Sequence, residues 1–374
     1  MYIKGVGMTK FSVEDRTTWE MAYEAAYEAL DDADMSFHDI DSVVVSTVDT
    51  VVNPERQRQY QAVIASLFKK RMPIIRVPAV CGGGGVALYT ACRLGYNNTL
   101  VLATDKIATN TTGVIVNEIM NATDKVWEQE EGVNFPAENA LIAQEHMLKY
   151  GTTSDDLALI SLKNHENAFL NPKTPFYKKK VTLDEIKKSP MIAFPLRLFD
   201  CTINVNGASA VILSKDKSDI KIKGSGMSVD YLAPFEREDT STWRATKLAS
   251  EHAYKEASLD AKNIDIAEVH DAFTILEILA YEDLGFCRKG DGAALIRKGV
   301  TKLDGRLPVN TSGGLKARGH PISPTGLAMI YELVKQLRHE CGDRQVSHAK
   351  YGLAQNIGGA GGSITVHILN KVGG

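Results

Sequence analysis

A single thiol heads a run of four glycines in VPAVCGGGGVALYTACRLGY, where an apolar stretch gives way at Cys81 to the start of an amphipathic helix. Unpaired backbone N–H groups and the helix dipole favour a thiolate at such a position, so a nucleophile is expected there. Glycine costs about 1 kcal/mol against alanine inside a helix, and its return is close approach of backbone or ligand to the thiol. Two histidines stand in comparable places. EVHDAFTILEILAYEDLGF puts His270 where an apolar strand ends and a helix begins, a frequent address for catalytic side chains in α/β proteins. NTSGGLKARGHPISPTGLAMIYELVKQL puts His320 in a Gly-rich loop before another helix. Taken singly, either histidine reads as structural, whereas the Cys-Gly run is as consistent with a nucleophile as with a buried structural thiol. As a set they can converge across an interface between two halves, and the chemistry is then covalent catalysis by an activated thiol. The other histidines, His367 in the last strand among them, read as structural.

The elements that must bring this set together come as a repeat. TTWEMAYEAAYEALDDADMSFHDIDSVVV, from Thr17, and STWRATKLASEHAYKEASLDAKNIDIAEV, from Ser241, align without a gap. Thr18 and Trp19 fall on Thr242 and Trp243, Ala25 on Ala249, Ala29 on Ala253, Ala33 on Ala257, and Ile40 and Asp41 on Ile264 and Asp265. Each copy predicts a Ser/Thr cap, a long amphipathic helix, an Asp-containing turn and a β-branched strand. The halves also close alike, with NGASAVILS in the first and GGSITVHILN in the second. So wide a spacing marks a duplicated domain, not a solenoid. In this alignment His270 falls on Ser46, an imidazole where the first copy has a hydroxyl.

Size and composition agree. At 374 residues the chain exceeds what one core usually fills. A hydrophobic content of 44% and a charged content of 24% belong to a globular protein in water. The net charge of −3 supplies no general attraction to nucleic acid or an anionic membrane. The five cysteines (Cys81, Cys92, Cys201, Cys287 and Cys341) contain no C-x-x-C pair, which suits a reducing cytoplasm and argues against zinc or a disulfide framework. MYIKGVGMTKFS lacks the apolar core of a signal peptide, and no run is apolar enough to span a bilayer. A cytoplasmic protein with no metal site is the expectation.

Strands alternating with helices predict a layered α/β fold. YIKGVGM, DSVVVSTV, PIIRVPAV and NTLVLATDK read as strands, separated by a helix at Trp19, one from about Arg56 to Phe68, and one at Cys81. Residues 113–195 break this rhythm. They hold WEQEEGVNFPAENA, a helical segment from Thr153 to Phe169, and the Pro/Lys-rich NPKTPFYKKKVTLDEIKKSP, and they form a candidate substrate-covering lobe. Lys178, Lys179 and Lys180 read first as a solvated run, and as contacts for a CoA phosphate only if the lobe faces the thiol. The halves are placed at 1–220, carrying the lobe and the thiol, and 221–374, carrying both histidine motifs.

These motifs resemble those of thiolases, specifically the sterol-carrier-protein type and its archaeal relatives, over almost the whole chain. SGGLKARGHPISPTG, with Gly319, His320 and Pro321, is the strongest marker, followed by His-Asp-Ala-Phe from His270. The Cys81 segment falls where the family keeps its acyl-accepting cysteine, and AQNIGGAGGSITV resembles its last catalytic loop. That loop departs from the pattern at one point. Asn356, Ile357 and Gly358 stand where many thiolases have a second cysteine, any residue and Gly.

The resemblance implies a thiolase fold of two duplicated α/β/α halves in five layers, assembled as a homodimer or homotetramer. It implies acyl-CoA substrates and no cofactor, with the pantetheine arm reaching Cys81 beneath the lobe. The implied reaction makes acetoacetyl-CoA from two acetyl-CoA, or the reverse, through an acyl group on Cys81. Backbone N–H groups of Cys81 and Gly358 would form one oxyanion hole, and His270 with His320 would hold the enolate, each such donor being worth roughly 3 to 4 kcal/mol. An amide does not titrate near neutrality, so the α-proton base is left among His270, His320 and the Cys81 thiolate. Thiolytic cleavage of longer or branched 3-oxoacyl-CoA, a decarboxylating 3-oxoacyl synthase, and an inactive thiolase-like subunit of a complex stay open. The archaeal branch further implies a zinc-ribbon/OB-fold partner and a hydroxymethylglutaryl-CoA synthase.

Overall fold

The computed structural model describes residues 1–48, 55, 57–108 and 112–372. Its strands are β1 (Tyr2–Met8), β2 (Ser42–Ser46), β3 (Ile74–Arg76), β4 (Asn98–Asp105), β5 (Met191–Ala193), β6 (Leu196–Arg197), β7 (Gly207–Ser214), β8 (Ile220–Val229), β9 (Ile266–Val269), β10 (Tyr351–Gly358) and β11 (Ser363–Lys371). Apart from the β5–β6 hairpin they lie in the order β3-β2-β4-β7-β1-β8-β11-β10-β9. The order is twofold about the β1–β8 junction, where only Tyr2–Lys221 and Ile3–Ile220 pair. On each side a parallel pair (β2–β4, β9–β10) is followed inward by antiparallel neighbours. Where β2 is flanked by β3, β9 is flanked by a single parallel bridge from Ala267 to Val309.

The repeated segments become equivalent layers. Helix Thr18–Asp32, closed by a capping box between Thr17 and Glu20, covers the outer face of the first half-sheet, and helix Arg244–Ala257 covers that of the second. Helices Gly83–Leu94 and Thr325–Arg338 lie side by side between the half-sheets and touch both. Five layers result, α/β/α/β/α. The repeated alanines have a mechanical reason. A Cβ on Gly7 would stand 2.0 Å from the Ala25 carbonyl oxygen and one on Gly5 2.1 Å from that of Ala29; in the second half Gly226 and Gly224 make the same approach to Ala249 and Ala253, at 1.9 and 2.1 Å. Each outer helix thus seats directly on strand backbone, and the four alanines are fully buried.

The strand expected over PIIRVPAV stops at Arg76, because Pro78 has no ladder N–H and Val80 turns to φ 47°. The helix expected from about Arg56 begins at Tyr60; Arg56 itself lies outside the described residues. The segment Thr153 to Phe169 is helix Ser154–Phe169, with Thr153 and Asp156 as its capping box. WEQEEGVNFPAENA hides the start of a further helix, Phe135–Tyr150, capped by Asn134. Its buried face carries Glu138, Asn139 and His146 among the alanines, so apolar periodicity does not announce it. Both central helices are entered alike: Val80 (φ 47°) and Ile322 (φ 69°), β-branched residues in the left-handed region, each sit three residues before the helix start. Such strain costs about 1–3 kcal/mol and persists only where surrounding structure enforces it.

Candidate active site

Cys81 is the middle residue of a 3₁₀ turn, Val80–Gly82, and is 8% exposed. Burial pushes its thiol up to about 12; the backbone N–H of Gly359, aimed at the sulfur, opposes this and the Asp105 carboxylate adds to it. The amide that reaches the sulfur is that of Gly359, the residue after the Gly358 expected to serve the oxyanion. Gly358 ends β10 against the nucleophile turn, where a Cβ on Gly82 would lie 3.0 Å from its nitrogen.

The glycines after Cys81 serve contact between the halves. A Cβ on Gly83 would meet Ser46 Oγ at 2.2 Å, one on Gly84 the Ser323 carbonyl oxygen at 2.7 Å, and one on Gly85 Thr365 Oγ1 at 2.1 Å. Gly84 N–H donates to that Ser323 carbonyl at 3.0 Å. The close approach predicted for this run is therefore of backbone to Ser46 of the same half and to side chains and backbone of the second half. His367 fastens the same helix start: its Nε2 lies 3.0 Å from Gly85 O and its Nδ1 3.0 Å from Ser225 Oγ.

His270 follows β9, with its backbone N–H donating to Gln355 Oε1 at 3.1 Å. His320 follows the short helix Gly314–Arg318; its Nδ1 is 2.6 Å from Thr325 Oγ1. The two rings stand edge to face with centroids 5.3 Å apart. Burial depresses both imidazoles: His320 goes to about 3, helped by the Arg318 charge, and His270 well below its ordinary range, helped by His320 and Arg318. Burial thus favours the uncharged form of the thiol and of both rings. Asn356, on β10, joins nucleophile to histidine. Its Nδ2 donates to the Cys81 carbonyl at 3.0 Å and lies 3.2 Å from His270 Nδ1, while its Oδ1 accepts from Gly85 N–H at 3.1 Å.

The fold thus gathers Cys81, His270, His320, Asn356 and Gly358 at the meeting of the halves. Lys178, Lys179 and Lys180 are exposed on the lobe, with Lys178 Nζ over the Tyr177 ring, 5.1 Å from its centroid. Supporting residues escaped the motif reading. Asp105, at the end of β4, accepts from Thr47 Oγ1 (2.9 Å), Val48 N–H (2.7 Å) and Ser323 N–H (2.8 Å), and so ties three loops beneath the thiol. Burial raises its carboxyl to about 7. A charge closing the apolar strand NTLVLATDK was the available signal. Asp271, beside His270, accepts from Asn164 Nδ2 (2.7 Å) and from Leu315 N–H (2.6 Å), which locks the His270 loop to the turn before His320.

A twofold five-layer α/β frame thus holds a buried Cys-His-His set at its centre, the side-chain types that covalent thiol catalysis uses. A family model described as "Thiolase C-terminal domain-like" matches residues 226–371. The chain is 39% identical over 378 aligned positions to acetyl-CoA acetyltransferase of Methanothermobacter thermautotrophicus, covering 98% of each. It is 33% identical to sterol carrier protein 2 of Bos taurus, over 100% of this chain and 72% of that one. Among solved structures it superposes on the Ltp2-ChsH2(DUF35) aldolase with a TM-score of 0.83 at 25% identity, over 99% of this chain and 97% of the other. The chain belongs to the thiolase superfamily, and its fold is the thiolase fold.

Proposed function

We propose that the protein joins two acetyl-CoA into acetoacetyl-CoA and CoA, and runs the reverse, by an acyl group carried on Cys81. The observation that carries this is the link from Cys81 through Asn356 to His270, with His320 edge-on beside it. In the first half-reaction the Cys81 sulfur attacks the thioester carbonyl, its proton leaves toward His320, and CoA departs as the thiol. In the second, the enolate of another acetyl-CoA attacks the Cys81-bound acyl carbon, and the sulfur leaves. The N–H of Cys81 with that of Gly358 or Gly359 receives the first oxyanion, and the two histidines receive the enolate. Likeness to the acetyl-CoA acetyltransferase of M. thermautotrophicus supports acetyl over longer chains.

The reading also includes a division of the halves at 220/221, supported by the thin β1–β8 junction, and a lobe over about 113–195 above the CoA path. It places the enzyme in the cytoplasm as a homo-oligomer, and adds a protein partner, for which likeness to the Ltp2-ChsH2(DUF35) assembly is the support. Peptide mass spectrometry after brief exposure to acetyl-CoA tests the core claim. An acetyl group is expected on Cys81 and on no other cysteine, absent from Cys81→Ala and unchanged in Cys92→Ala. Acetylation of both cysteines alike would sink the assignment.

A further inference from the structure

A neutral imidazole has one N–H and one bare nitrogen, and the partner of either nitrogen decides which is which. At His270 the deciding atom is Nδ1, which faces Asn356 Nδ2 at 3.2 Å and the Ile357 backbone N–H at 3.4 Å. A backbone N–H can only donate. The orientation of the Asn356 amide follows from its other contacts, since Oδ1 takes the Gly85 N–H and Nδ2 gives to the Cys81 carbonyl. A flipped amide would set oxygen against that carbonyl and NH₂ against that N–H, losing both bonds. Two donors therefore converge on Nδ1, and it must be the bare nitrogen.

We infer that Asn356 is a positioning residue that locks His270 in the Nε2–H tautomer, so that His270 meets the second thioester as a hydrogen-bond donor and not as a base. The reference to a thioester rests on the function proposed above; the tautomer does not. Asn356, in the place of a titrating thiol, gives up proton transfer and fixes a donor. The base is then His320, whose single partner at Nδ1, the Thr325 hydroxyl, lets it donate there and keep Nε2 bare. His320 Nε2 takes the α-proton and the C–H electron pair becomes the enolate, whose oxygen accepts from His270 Nε2–H. Enolate carbon bonds to the acyl carbon, the bond from that carbon to the Cys81 sulfur breaks, and the departing thiolate recovers the proton from His320.

The test is the two-bond ¹H–¹⁵N spectrum of the full chain labelled in histidine, with His270 signals assigned by their loss in His270→Ala. The Nε2–H pattern is expected for His270; an Nδ1–H pattern would overturn the inference. Asn356→Asp replaces the donor with an acceptor, keeping the Gly85 bond and giving up the one to the Cys81 carbonyl, so Nδ1 is expected to gain a proton. In that variant the lost bond to the Cys81 carbonyl should slow acetylation, and condensation should fall further, by roughly a hundredfold or more beyond the loss in acetylation, as on loss of one oxyanion donor. Equal losses in both half-reactions would mark Asn356 as merely structural and refute the assignment. Asn356→Ala, which leaves only the longer Ile357 contact, should show both tautomers. Failure of the wild type to take acetyl from acetyl-CoA would count against the proposed function, and the spectrum would still decide the tautomer.

Discussion

The chemistry of Cys81 is set by what surrounds it more than by the helix behind it. A helix N-terminus favours the thiolate, yet burial and the Asp105 charge push the thiol up to about 12. A raised thiol pKa means little thiolate at neutral pH, so alkylation of Cys81 in the free protein is expected to climb roughly tenfold per pH unit from about pH 7 to about pH 10. A rate already level below about pH 7 would indicate a resting thiolate–imidazolium pair and contradict this. Asp105→Asn removes the charge beside the sulfur and should speed alkylation above about pH 7. The same substitution turns one of the two acceptor oxygens into an NH₂ that meets either the Ser323 N–H or the Thr47 and Val48 donors, and should cost about 1–3 kcal/mol of stability. Faster alkylation with a lower melting temperature is the expected pair of readings. Cys81, His270 and His320 were legible because each sits in a contiguous motif. Asp105 and Gln355 were not, because their importance lies in partners 218 and 85 positions away in sequence, and only folding makes them neighbours; Thr325 stood inside the His320 motif, but its bond to the ring needed the structure.

Among the elements, the strand–helix and helix–helix seams tolerate no added atoms. Gly226→Ala would drive a methyl into the Ala249 carbonyl, and Gly85→Ala would drive one into Thr365 and Asn356. Overpacking of this sort costs typically about 1–3 kcal/mol. Both variants should lose stability in thermal unfolding, but only Gly85→Ala should slow Cys81 acylation beyond what its melting temperature explains, because Gly85 anchors Asn356. Equal loss of acylation in the two would show that the seam at Gly85 has no special link to chemistry. The repeat was readable as Ala-x-x-x-Ala spacing on two helices, although its cause, glycine-bearing strands pressed beneath, needed the structure. Helix Phe135–Tyr150 was unreadable because it buries polar groups: His146 Nε2 lies 3.1 Å from Glu282 Oε2, across to the second half.

At the scale of the molecule, buried ionisable groups set opposing pH trends. The carboxyls of Asp105 and Glu138 are raised by burial, to about 7 and about 8. The folded state therefore binds protons that the unfolded chain does not, and stability rises as pH falls from about 8 toward about 4. His320 and His367 are lowered by burial, to about 3 and about 4. Their stabilising effect is whole above about pH 6.5 and is lost as pH falls through the folded values. Thermal unfolding should give a melting temperature that increases from about pH 8 to about pH 6.5, levels while the two sets oppose each other, and drops below about pH 4. A flat profile between about pH 8 and about pH 6.5 would contradict the raised carboxyls.

The paired left-handed residues at the entrances to the central helices carry a consequence for how a doubled chain comes to have one reactive pole. Cys81 follows Val80, and Ser323 occupies the matching step after Ile322. Ser323 is already committed: its N–H goes to Asp105, its hydroxyl to the Val80 carbonyl, and its own carbonyl to Gly84. One elbow has become the buttress of the other, much as Ser46 holds the place that His270 fills across the dyad. Duplication here yielded a division of labour, a working copy and a bracing copy, and the bracing copy cannot drift without loosening the nucleophile it supports.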